Sequence, residues 1–174
     1  MATSINLLKI ILCVAIIPFI VRSESLSPLI SNAATSNDVP PHVLLSICTH
    51  ESQAFKNGKR VAWPWTINAG GKSYWFRSKE TTLLFAENLI RQDKLNFDIG
   101  VCQINWFWHR SQVGSLRNIL EPSANADYAA KYLKSLNKTD SWVEATGKYH
   151  SLKDTEKARQ YAEKVFYLSV NRTH

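Results

Sequence analysis

Glu51 is the residue in this chain whose placement says most about chemistry. It lies seven residues after Leu44, four after Ile47 and three after Cys48. On a helix those spacings put it on the same face as the apolar stripe. A carboxyl there looks into the protein or a cleft. Burial disfavours its charged form, and the negative end of the helix dipole adds to that, so its pKa rises. A glutamic acid kept protonated near neutral pH can hand a proton to a leaving oxygen, the task of a general acid at a glycosidic bond. A frayed helix end with Glu51 in water is the alternative. His50-Glu51 also opens like H-E-x-x-H, but position 54 is Ala54, so that metal reading fails. His42, His109, His150 and His174 show no ligand spacing either, and no metal is expected.

Aromatic residues are the second pointer. Trp63, Trp65, Tyr74, Trp75, Trp106, Phe107, Trp108 and Tyr149 cluster in two loops and near a third. Sugar rings pack their apolar faces on such side chains. At least half of these rings are expected to fill the core of so small a domain. The interleaved Thr66, Asn68, Gln103 and Asn105 argue for a lined groove.

The elements that must position these residues follow from patterning. Residues 24–36 are Ser-rich and weakly patterned, and read as a flexible lead-in. Asp38 can cap a helix that starts with Pro40 and Pro41, with Val43, Leu44, Ile47 and Cys48 as its apolar stripe. From Trp63 to Phe76 the pattern alternates about Asn68-Ala69-Gly70-Gly71, which predicts a hairpin whose first strand Pro64 confines to an edge. Ser78 opens a helix carrying Leu83, Ala86 and Ile90, and an aromatic segment without helical period runs from Phe97 to Trp108. Three more helices are expected. One starts near Ser123 with Ala126, Ala130 and Leu133; one has a capping box of Ser141 with Glu144; one starts near Asp154 with Ala158, Tyr161, Ala162 and Val165. The fold class is α+β, mainly α, with a small β-hairpin, and residues 37–174 form the one domain.

The 174 residues, 45% hydrophobic and 20% charged, suit one packed domain and exclude bulk disorder. Lys9 precedes an apolar run from Ile10 to Val21, too short to span a bilayer comfortably, so residues 1–23 read as a signal peptide cut after Ser23. An uncleaved anchor is the alternative. Leu12 before Cys13 speaks against a lipoprotein. Export leaves Cys48 and Cys102, which form a disulfide or remain two buried thiols. The net charge of +7 falls to about +5 without Lys9 and Arg22. The basic residues are scattered, and no nucleic-acid partner is expected.

Four ordered motifs then stand out: Glu51-Ser52; Asp98-Ile99-Gly100-Val101-Cys102-Gln103-Ile104-Asn105; Glu121-Pro122 with Asn125; and Tyr149-His150-Ser151. Together they resemble lytic transglycosylases, lysozyme-like enzymes of the goose-type superfamily, over about residues 39–168. Trp63-Pro64-Trp65-Thr66-Ile67-Asn68 and Trp106-Phe107-Trp108-His109 are similar to a small exported subgroup. The family's central loop usually reads Gly-Leu-Met-Gln, where Val101 and Cys102 stand here. Its final Tyr-Asn becomes Tyr149-His150, and His150 can still donate a hydrogen bond.

The resemblance implies a lysozyme-like fold with Glu51 as catalytic acid and then base. It implies that Ser52, Gln103 and Asn105 line sugar subsites, and that Tyr149 hydrogen-bonds near Glu51 to orient it; Trp65, Thr66, Asn68 and His150 are expected to bind substrate beside them. Asp98, the one further acid inside a motif among Glu80, Glu87, Asp93 and Asp98, suits a turn as well as a second catalytic carboxyl. The implied activity is non-hydrolytic cleavage of peptidoglycan strands at N-acetylmuramic acid, with no cofactor. A lysozyme-type hydrolase and a catalytically silent glycan-binding protein are the rivals. The signal peptide implies a periplasmic or secreted protein, expected to be a monomer, and the resemblance implies as partners glycan strands and a secretion, conjugation or appendage machine of the envelope.

Overall fold

The apolar stripe of Val43, Leu44, Ile47 and Cys48 is the buried face of a helix around which the other elements gather. A computed structural model describes residues 26–56 and 58–170. In chain order these form α1 (Ser27–Ser36), α2 (Pro41–Ser52), β1 (Ala54–Lys56), β2 (Lys59–Val61), β3 (Thr66–Ala69), β4 (Lys72–Trp75) and α3 (Lys79–Arg91). There follow β5 (Phe97–Ile99), β6 (Ile104–Asn105), α4 (Trp106–Val113), α5 (Leu116–Ile119), α6 (Pro122–Leu136), α7 (Trp142–His150) and α8 (Thr155–Val170). The described chain is thus mainly helical, as the patterning predicts, and carries two small antiparallel sheets where one hairpin is expected. The expected signal peptide lies outside the described residues.

The helix carrying Glu51 packs against α1 and α8, and α8 pairs closely with α7. One sheet is the β1–β2 hairpin; the other has the order β4-β3-β5-β6. Gly70 and Gly71 sit at positive φ in the β3–β4 turn, which is why the chain can reverse there in two residues. Several helix starts use side-chain caps: Ser78 accepts from Thr81 N–H, Asn105 from Trp108 N–H, Ser115 from Asn118 N–H, Ser141 from Glu144 N–H and Asp154 from Lys157 N–H. The Glu144 carboxylate turns away to Thr139 and Lys148, so the box expected there supplies the serine cap while its acid pairs with neighbours.

Three expectations need correction. The lead-in over residues 24–36 contains a helix from Ser27 to Ser36, with Ile30 and Ala34 fully buried against the rest of the core. Burying an isoleucine contributes about 2 kcal/mol, and the neighbouring serines and alanines gave that stripe too little contrast to be read. Asp38 does not cap α2. It adopts a left-handed conformation and its carboxylate pairs with Lys134, while Pro40 occupies the cap position without a side-chain bond. Pro64 does not confine β3 to an edge, because it precedes the strand and β3 sits between β4 and β5. The β1–β2 hairpin and α5 are elements the patterning did not single out, and the segment expected to lack helical period from Phe97 to Trp108 holds β5, β6 and the first turn of α4.

Candidate functional site

Glu51 sits in the last turn of α2 with its carboxyl enclosed, although the residue keeps some surface at the mouth of a cleft. Burial pushes its pKa from 4.5 up to about 7, and the nearby charge of Asp98 pushes the same way. One contribution opposes them: the Tyr161 hydroxyl donates to Glu51 Oε1, which favours the ionised form. Burial wins, so near neutral pH the group stands between acid and base. The bond fixes one oxygen and leaves the other to carry the proton.

Tyr161 is itself buried, on α8, and two histidines hold its ring. His150 stacks on it at 4.5 Å with an interplanar angle of 1°, and His50 meets it edge-on at 5.3 Å. Burial lowers the pKa of both imidazoles, that of His50 to about 4. The rings are therefore uncharged near neutral pH.

A disulfide joins Cys48, one turn before Glu51, to Cys102, with Cα atoms 4.0 Å apart. It ties the helix to the loop that presents Gln103. That loop is cross-braced by Asn125, fully buried, which accepts from Cys102 N–H (2.8 Å) and donates to the carbonyls of Ile99 and Ile119 (both 3.0 Å). Gly100 is required there. Its φ is +86°, and a Cβ on it would lie 2.1 Å from Asn125 Nδ2. Gln103, also at positive φ, spends its amide hydrogens on Gly100 O (2.8 Å) and Thr66 O (3.1 Å). Its carbonyl oxygen is what it can offer the cleft.

Register supplies the facing wall. Ser73, Asn68, Asp98 and Asn105 are successive partners across β4, β3, β5 and β6, so they form one polar row on one sheet face. Asn68 donates to Ser73 Oγ (3.2 Å) and Asn105 donates to Asp98 Oδ1 (2.8 Å). Burial raises the pKa of Asp98, and the Asn105 bond acts against that. The cleft, about 550 Å³, is lined by Glu51, Asp98, Gln103, Asn105, Tyr149 and His150, with Trp108, His109, Tyr132, Lys148 and Lys153 among its other walls. His109 bonds the Tyr128 hydroxyl (2.8 Å) and stacks edge-on with Tyr132, which in turn meets Tyr149.

The structure thus brings Glu51, Gln103, Asn105, Tyr149 and His150 to one cleft, and Asn68 to the polar row beside it. Other expected site residues do not line it. Ser52 is 0% exposed; its hydroxyl donates to Cys48 O (2.9 Å) and accepts from Trp63 N–H (3.1 Å), so it anchors the Trp63 loop to α2. Thr66, 1% exposed, donates to Trp63 O (3.3 Å) within that loop. Trp65 packs edge-on against Trp63 at 5.9 Å and supports the loop from within. Tyr149 does not hold Glu51 by a hydrogen bond: its hydroxyl donates to Cys102 O (2.8 Å), and Tyr161 occupies the role because α8 packs along α2.

Tyr161, Ser73, Asn125 and the His109–Tyr132 pair are the residues that sequence reasoning did not assign to the site. Tyr161 sits at a helical core spacing, and only its phenolic oxygen, an unlikely group to bury without a partner, hinted at a polar neighbour. Compared with protein-family models, curated proteins and solved structures, the chain gives no match.

Proposed function

We propose that this chain is an exported peptidoglycan lytic transglycosylase on a lysozyme-like fold, with Glu51 as its acid and base. The observation that carries the reading is an enclosed carboxyl with its pKa pushed up to about 7, held by Tyr161 at the wall of a polar cleft. A pKa near the working pH lets one group give and then take a proton.

In the proposed reaction Glu51 protonates the β-1,4 glycosidic oxygen between N-acetylmuramic acid and N-acetylglucosamine. The bond from that oxygen to the muramyl C1 breaks, and the substrate's acetamido oxygen supports the developing cation. The Glu51 carboxylate then removes the proton of the muramyl C6 hydroxyl, whose oxygen closes on C1 as a 1,6-anhydro ring. Glu51 ends protonated, as it began. Gln103, fixed through its amide hydrogens, presents an acceptor to a sugar hydroxyl or acetamido N–H.

A second reading is favoured by one observation: Asp98 lines the same cleft and acts electrostatically on Glu51. Two carboxyls can run hydrolysis, with the second activating water or attacking C1. The Asn105 bond that ties Asp98 down suits an anchor of the polar row better than a mobile base. Digestion of purified sacculi with mass analysis of the muropeptides separates the readings. Anhydro ends, lighter by one water, are expected from wild type, and none from Glu51→Gln; reducing ends instead would give the case to the hydrolase.

A further inference from the structure

A second hollow, of about 620 Å³, lies beyond the end of α2, lined by Gln53, Phe55, Lys56, Trp63, Trp75 and Arg77 among others. Phe55 is 68% exposed and Trp75 50%, unusual for rings that size on a folded surface. Both indoles have spent their polar handle: Trp75 Nε1–H donates to Ser52 O (2.7 Å) and Trp63 Nε1–H to Phe76 O (2.9 Å). What Trp75 presents to solvent is therefore apolar ring.

Two relationships connect this hollow to the Glu51 cleft. Trp75 follows Ser73 by two on β4, so it stands on the same sheet face as the polar row of Ser73, Asn68, Asp98 and Asn105. Its indole is also pinned to the residue that follows Glu51 in the chain. The charged lining consists of Lys56 and Arg77, with no carboxylate among the described lining residues, and the Arg60 guanidinium lies 5.4 Å from the centre of the Phe55 ring. Flat apolar faces edged by cations complement sugar rings that carry anionic substituents.

We propose that this hollow is a distal platform for the same glycan strand that is cut at Glu51, gripping sugars and their acidic peptide stems beyond the scissile linkage. It rests on the proposed function and deepens it: the platform selects long, stem-bearing strands over short fragments. Phe55 takes no part in the Glu51 site, and its ring is on the surface, so Phe55→Ala tests the platform without touching the chemistry. Steady-state kinetics are measured on purified sacculi and on a tetrasaccharide muropeptide. For Phe55→Ala, KM on sacculi is expected to rise roughly five- to tenfold with kcat unchanged, and the tetrasaccharide kinetics to stay as wild type. Lys56→Glu with Arg77→Glu is expected to raise KM on sacculi as well, by a factor that shrinks in high salt. Wild-type behaviour of both variants on sacculi overturns the platform while leaving the lyase reading intact, as does an equal loss on long and short substrates. Failure of the wild-type protein to cleave either substrate removes the lyase reading and the platform with it.

Discussion

Tyr161 and Glu51, 110 residues apart in sequence, share a hydrogen bond in which the Tyr161 hydroxyl donates to the Glu51 carboxyl. That bond lowers the Glu51 pKa against the larger effect of burial. Removing it by Tyr161→Phe is expected to move the alkaline limb of the kcat profile to higher pH, because the acid form then persists longer. The maximal rate should fall several-fold as the carboxyl loses its fixed rotamer, within the range ascribed to positioned acids of up to about 10⁴. Muropeptide release followed across pH reads both, and an alkaline limb that moves down would contradict this account.

Glu51 also carries a stability cost with a defined pH window. Its folded pKa is raised, so the favourable contribution of its neutral form is complete below the unfolded value of 4.5 and is lost as pH rises toward about 7. Glu51→Gln keeps the shape without the charge. It should therefore match wild type near pH 4.5 and exceed it by about 3 kcal/mol above pH 7. Denaturant titrations at the two pH values check this; an equal gain at both would mean the enclosed carboxyl is not the cause.

Asp98→Asn separates chemistry from electrostatics. Anhydro products should persist, and the alkaline limb should move down because a charge that raises the Glu51 pKa has gone. Complete loss of cleavage with a folded protein would instead make Asp98 a reacting group.

Gly100→Ala is expected to be among the most damaging single changes. A methyl 2.1 Å from Asn125 Nδ2, at a φ of +86°, must displace the side chain that braces the Gln103 loop. A loss of more than about 4 kcal/mol follows from strain plus a broken buried network. Thermal melting reports it, and Asn125→Ala should lose less because it removes the bonds without forcing a side chain at positive φ.

Much of the scaffold was legible because helical periodicity is a strong signal: α3, α6, α7 and α8 begin within a residue or two of their expected starts. Glu51 was legible for the same reason, its spacing from Leu44, Ile47 and Cys48 placing it on the inward face. The partners of Glu51 were harder to see. Which tyrosine reaches it depends on how α7 and α8 pack against α2, a tertiary relationship that neither Tyr149 nor Tyr161 encodes locally. Ser52 and Thr66 misled for a related reason. A hydroxyl in a motif can face a cleft or satisfy backbone, and here both satisfy backbone. The open question of two thiols or one bond at Cys48 and Cys102 likewise needed their separation in space.

That bond has a topological outcome. Joining Cys48 to Cys102, 54 residues apart, closes a covalent ring that contains both hairpins, α3 and β5. A protease nick at any exposed turn of the ring, such as Gly70-Gly71, leaves the two pieces linked. Nicked protein should migrate as one species on a non-reducing gel and as two once the sulfurs are reduced, with the severed lobe still tethered one helical turn from Glu51.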